Sequence, residues 1–169
     1  MSDLKIEPFD VSTLDREPEF FLEILLTALR DTPDGHSTRR VYSDLTNRWV
    51  WELDAGGYVI DVKPDFECGF DEEGDGKVLT AILQRTPRFD SQVVLKSELV
   101  PREYNGMKYR EVRWNAKVKL GKTCPYTLEE YRHAGHCGYG LSRHPGTAAL
   151  LAYLRAWGMV SHNLGLGER

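Results

Sequence analysis

Three of the five histidines and two of the three cysteines fall within residues 124–144, CPYTLEEYRHAGHCGYGLSRH. Thiolates and imidazoles are the ligands Zn²⁺ prefers, and four of them in a tetrahedron make a closed structural site. Cys124, His133, Cys137 and His144 form the candidate set, with His136 as the substitute for His133. The spacing C-x8-H-x3-C-x6-H lacks the short paired-ligand knuckles of zinc ribbons and fingers, so scattered surface histidines around a buried thiol stand as the alternative. A thiol nucleophile is the other chemistry open to this segment, because His136 adjoins Cys137 and an imidazole can stabilise a thiolate. No signature of a known thiol nucleophile surrounds Cys137, however. The glycines at 135, 138, 140 and 146 read as a tight loop, which suits a binding surface as well as an active site.

A second concentration of functional groups lies in residues 63–76, KPDFECGFDEEGDG, where Asp65, Glu67, Asp71, Glu72, Glu73 and Asp75 surround Phe66 and Phe70. Asp71, Glu73 and Asp75 occupy the first, third and fifth places of a calcium loop, with glycine at the sixth. The twelfth place is Ile82, so the bidentate glutamate is missing and a calcium site fails. What remains is a solvated hairpin tip or an acidic docking surface for a basic partner protein, and the two phenylalanines favour docking. Phosphate chemistry has less support. Gly121-Lys122-Thr123 ends like a phosphate loop, but the required earlier glycine is absent and Pro125 interrupts any following helix. Arg113, Lys117 and Lys119 share one face of a strand and could track a nucleic-acid backbone, although such side chains also protect an edge strand from aggregation.

These groups must be carried by folded elements. EFFLEILLTALR after Pro18 has apolar residues at helical spacing, broad enough to be covered on two sides. Residues 48–53 and 58–62 alternate as a hairpin, with Trp49, Trp51 and Leu53 facing Val62, Ile60 and Tyr58 across the turn at 54–57. Further strands are expected over residues 77–85, 92–99 and 107–120, the last with Val112, Trp114, Ala116 and Val118 facing inward. Trp49, Trp51 and Trp114 are thus expected to share the core. A short helix is expected over 127–133 and a strongly apolar one over 147–157, the latter packing on the sheet or forming a homo-oligomer contact. The expectation is a single α+β domain over residues 1–169: an N-terminal helix, an antiparallel meander of about five strands, then two C-terminal helices.

Composition narrows the function classes. With 41% hydrophobic and 28% charged residues among 169, the chain is globular, and no run of apolar residues is long enough to span a membrane as a helix. The start MSDLKIEPFD lacks the features of a secretory signal and three cysteines fit a reducing compartment, so a cytoplasmic location is expected. Residues 1–120 carry 23 acidic and 17 basic side chains, whereas residues 121–169 carry 3 and 5. Generic nucleic-acid binding is therefore not expected, although a local basic patch is compatible. The leading expectation is a non-enzymatic interaction or inhibitor protein, of the mobile-element or immunity type, that covers a basic nucleic-acid-binding or catalytic surface of its partner. The alternative is a small zinc-supported nucleic-acid-binding protein or enzyme centred on residues 124–144.

Overall fold

The computed structural model describes residues 10, 18–35, 37–54, 57–65, 69–86, 91–121 and 137–162. Helix α1 (Pro18–Asp31) leads into a three-stranded antiparallel sheet of β1 (Arg39–Ser43), β2 (Arg48–Leu53) and β3 (Tyr58–Ile60). Helix α2 (Glu72–Arg85) follows. A second antiparallel sheet consists of β4 (Gln92–Tyr104), β5 (Met107–Lys119) and β6 (Cys137–Ser142), and α3 (Pro145–Ala156) comes after it. The α+β class holds, but the single five-stranded meander does not: two three-stranded sheets take its place, with a helix between them in the chain.

The expected strand over residues 77–85 is instead the last nine of the 14 residues of α2. Asp71 caps this helix, its carboxylate accepting the Gly74 amide at 2.8 Å, and Glu72, Glu73 and Asp75 occupy the first turn. Carboxylates there complement the exposed amides and the helix dipole, and Glu73 pairs with Lys77 one turn on at 3.1 Å. Val78, Ala81 and Ile82 are then buried together at helical spacing. The acidic run is therefore a helix start, not a hairpin tip.

Helix α3 is the centre of the molecule. Its residues from Gly146 to Ala156 are buried within the one chain, against β5, β6 and α2, with α1 also in contact. Of the two roles expected for it, packing on a sheet is seen here. The close approach to β6 depends on Gly138 and Gly140, which are strand residues and not the expected loop. A Cβ on Gly138 would lie 2.0 Å from Ala152 O, and one on Gly140 2.1 Å from Ala148 O, so the helix backbone rests directly on the strand.

One buried cluster joins Phe21, Leu22, Leu25 and Leu29 of α1 to Trp51, Leu53 and Ile60 of the first sheet, Phe70, the apolar face of α2, Ala116 and Val118 of β5, and α3. Of the three tryptophans expected inside, Trp51 is fully buried and Trp114 is half-buried against this cluster. Trp49 is 54% exposed and packs edge-on against Tyr42. It lies beyond the area the helices cover, where alternation alone cannot place a side chain inside.

The β2–β3 hairpin has the expected register, with Leu53 opposite Tyr58 and Trp51 opposite Ile60. The β4–β5 hairpin is longer than expected because β4 continues through Pro101 to a two-residue turn at Asn105 and Gly106, both at positive φ. Proline is tolerated there because β4 is an edge strand. The expected helix over 127–133 lies outside the described residues. Among the described residues no helix is long and apolar enough to cross a membrane.

Candidate functional site

The acidic run supplies structure before it supplies a surface. Phe70 is fully buried in the core, so it cannot anchor an external partner as expected. Asp75 is turned inward: its carboxylate accepts the Gly146 amide at 2.9 Å, the Thr147 amide at 2.8 Å and the Thr147 hydroxyl at 3.1 Å. A side chain of α2 therefore caps α3, tying together two helix starts that are 71 residues apart. Burial pushes this carboxyl above its usual range, against the three hydrogen bonds that favour its ionised form. Glu72 and Glu73 are exposed and Asp71 is half-buried at its capping position. Phe66 and Glu67 lie outside the described residues.

Asp65 meets His144 instead of a partner, its carboxylate 3.3 Å from Nε2, and the imidazole packs directly on Gly69. His144 occupies the N-cap position of α3, while Cys137, a free and partly buried thiol, begins β6. Those two members of the candidate zinc set are thus separated by the whole of β6, about 17 Å at the rise of an extended strand. Ligands of one tetrahedral ion stand only about 4 Å apart, so Cys137 and His144 do not serve a common zinc. Cys124, His133 and His136 lie outside the described residues. Among the described residues no group of three or more histidine, cysteine, aspartate or glutamate side chains is placed to hold a metal ion.

Two ionic clusters went unforeseen. In the first, the fully buried Arg85 of α2 lies 2.9 Å from an Asp54 carboxylate oxygen, donates to the Thr38 hydroxyl at 2.6 Å and donates to the Asp34 carbonyl at 3.3 Å. Tyr153 of α3 donates to the Asp34 carboxylate at 3.2 Å, and burial raises the pKa of its phenol. This network ties the chain just after α1 and β2 to α2 and α3 largely out of reach of solvent, which is a structural role. The sequence signal was an arginine at helical spacing from Val78 and Ile82.

The second cluster surrounds Glu111 on the outer face of the second sheet. Arg102 donates to one of its oxygens at 3.0 Å, while Arg113 at 3.4 Å and Arg143 approach the other. Arg113 is buried in this cluster and is not available to track phosphates as expected. Lys117 and Lys119 are exposed on the same face, and the Lys117 ammonium lies 5.7 Å from the centre of the Tyr139 ring.

The most open feature is the β4–β5 hairpin itself. Strand β6 pairs with β5 only from Trp114 to Lys119, so the seven pairs from Glu98–Arg113 to Tyr104–Met107 extend past it, a reach of about 20 Å. Leu99, Tyr104 and Met107 on this extension are 59%, 70% and 73% exposed, and Tyr109 and Val112 are also exposed. Comparison with protein-family models, with curated proteins and with solved structures gives no match.

Proposed function

We propose that this chain is a binding protein of the interaction or inhibitor class, and that its contact element is the projecting β4–β5 hairpin in place of the acidic run. The observation that supports this reading is the set Leu99, Tyr104, Met107, Tyr109 and Val112, left in water on a two-stranded ribbon. Such a ribbon has little stability of its own, and its register puts Leu99 and Val112 on one face and Tyr104, Met107 and Tyr109 on the other, so apolar side chains are exposed on both faces of an element that reaches past the rest of its sheet. Burying each of these side chains contributes about 1.5–3 kcal/mol before the cost of association, and tyrosines are frequent anchors at protein contacts. Lys108 and Arg110 outnumber Glu103 near the tip, in a chain whose net charge is −4. The matching surface is an apolar groove with an acidic rim, not the basic groove that the acidic run would have met.

The test places a photo-crosslinking residue at Met107 and, separately, at the exposed Leu83 on α2. The expected result is a single defined protein adduct from Met107 only, lost when Leu99, Tyr104 and Val112 are all changed to Ser. Analytical ultracentrifugation of the purified chain determines whether the captured partner is a second copy. Adduct formation that survives the triple substitution, or that is abolished by reversing the charges of Glu72 and Glu73 instead, would return the contact to the acidic helix start.

A further inference from the structure

The outer face of the second sheet carries a cleft that the hairpin reading does not use. It has a volume of about 450 Å³ and lies over β4, β5 and β6, with Arg155 of α3 and His162 closing one side. Lys96 and Lys117 line it, and among the described residues no aspartate or glutamate belongs to its lining. Val94 stands opposite Lys117 and Lys96 opposite Asn115 in the β4–β5 register, so the two lysines are diagonal neighbours on one face. Among the described residues neither lysine has a carboxylate within ion-pairing distance. Glu98, further along the same face, accepts a hydrogen bond from Asn115 at 2.8 Å. Two unpaired ammonium groups side by side repel one another, and an anion between them relieves that repulsion.

Arg155 is held in a fixed orientation at the side of the cleft. Its Nε donates to the Ser161 carbonyl at 2.7 Å and its Nη1 to the Tyr139 carbonyl at 2.8 Å. Beside the polar Asn115, the cleft has an apolar and aromatic wall of Val94, Leu141 and the exposed Tyr139 ring, whose centroid lies 6.4 Å from that of His162. Inorganic phosphate would fill a small part of this volume and touch none of those walls, whereas pockets of about 300–1,000 Å³ suit small organic ligands.

We propose that this cleft binds a nucleotide, its phosphate between Lys96 and Lys117 and its base against Tyr139 and Leu141. The base requires a ring-sized apolar wall next to the cations, which is the arrangement seen here, and base stacking on aromatic side chains is tolerant of base identity. The nucleotide is either free or the end of a single strand, and the cleft chemistry is the same for both.

Calorimetric titration of the full chain at low salt with adenosine monophosphate, with a hexathymidylate and with inorganic phosphate tests the proposal. Adenosine monophosphate is expected to saturate with a Kd between about 10 µM and 1 mM, and inorganic phosphate to bind at least about tenfold more weakly. Lys96→Met with Lys117→Met should weaken the nucleotide at least about tenfold, the worth of one charge-assisted bond. Both lysines are exposed, so the unfolding midpoint of this variant should stay that of the parent. Tyr139→Leu should weaken the nucleotide about fivefold and leave inorganic phosphate unchanged. Hexathymidylate binding more tightly than the mononucleotide identifies a strand end as the ligand, and equal affinity identifies the free nucleotide. No saturation by either up to about 10 mM, or affinity unchanged in the double-lysine variant, would overturn the site.

Discussion

Adding a single methyl group to Gly140 tests the packing of the whole core. Its Cβ would stand 2.1 Å from Ala148 O and 3.0 Å from both Ala148 C and Ala152 N, all main-chain atoms of α3 that no rotamer change can move aside. Real Cβ atoms keep at least 3.0 Å, so the helix must retreat by about 1 Å. A retreat of that size forfeits a quarter to a half of the dispersion energy at each contact it opens, and α3 is buried along almost its full length. Overpacking of this kind costs about 1–3 kcal/mol, and the backbone clash puts Gly140→Ala at about 3 kcal/mol, offset by about 0.5 kcal/mol from the stiffer unfolded chain. Gly76→Ala is the matched control, because it lies in α2 with nothing within 4 Å of the new methyl. It carries the same unfolded-state term plus a gain in helix propensity, and should stabilise by about 1 kcal/mol. Urea unfolding of the two variants should therefore show effects of opposite sign, about 3–4 kcal/mol apart. A separation below about 1 kcal/mol would mean that α3 does not rest on β6 as described.

Two further outcomes follow from burial. Truncating Trp51 to Ala should cost about 3–5 kcal/mol, Trp114 about half as much and Trp49 under about 1 kcal/mol, as read from denaturation midpoints; equal losses at Trp49 and Trp51 would refute the placement of the first sheet. Asp75→Asn turns an amide N–H toward a backbone donor and should cost about 1–3 kcal/mol. Because burial raises the carboxyl pKa of Asp75 above the usual 3.8, its stabilising contribution is full below that pH and is lost as pH rises through the folded-state value. The advantage of the parent over Asp75→Asn should shrink on raising the pH from that point, and an advantage that grows instead would contradict the direction of the shift.

The sequence had already determined the elements whose signals are local. Helix α1, the β2–β3 hairpin with its register, the course of β5 and helix α3 are all legible from periodicity and turn residues, because each repeats its pattern over at least one full strand or several helical turns. Where two signals competed, the choice went wrong. The strand expected over 92–99 stops short although Asn105-Gly106 marks the true turn, and the acidic run read as surface although Asp71 followed by Glu72 and Glu73 is a helix start. Only the tertiary structure decided the rest. Whether Gly138 and Gly140 belong to a loop or to a strand depends on the backbone of α3 lying against them. Asp75 becomes a cap instead of a docking charge through a helix 71 residues away. Lys96, Lys117 and Tyr139 come to line one cleft only when three strands and a helix come together. Local patterns set what each segment can form, but the roles of its side chains are set by neighbours distant in the chain, and those contacts leave no periodicity to read.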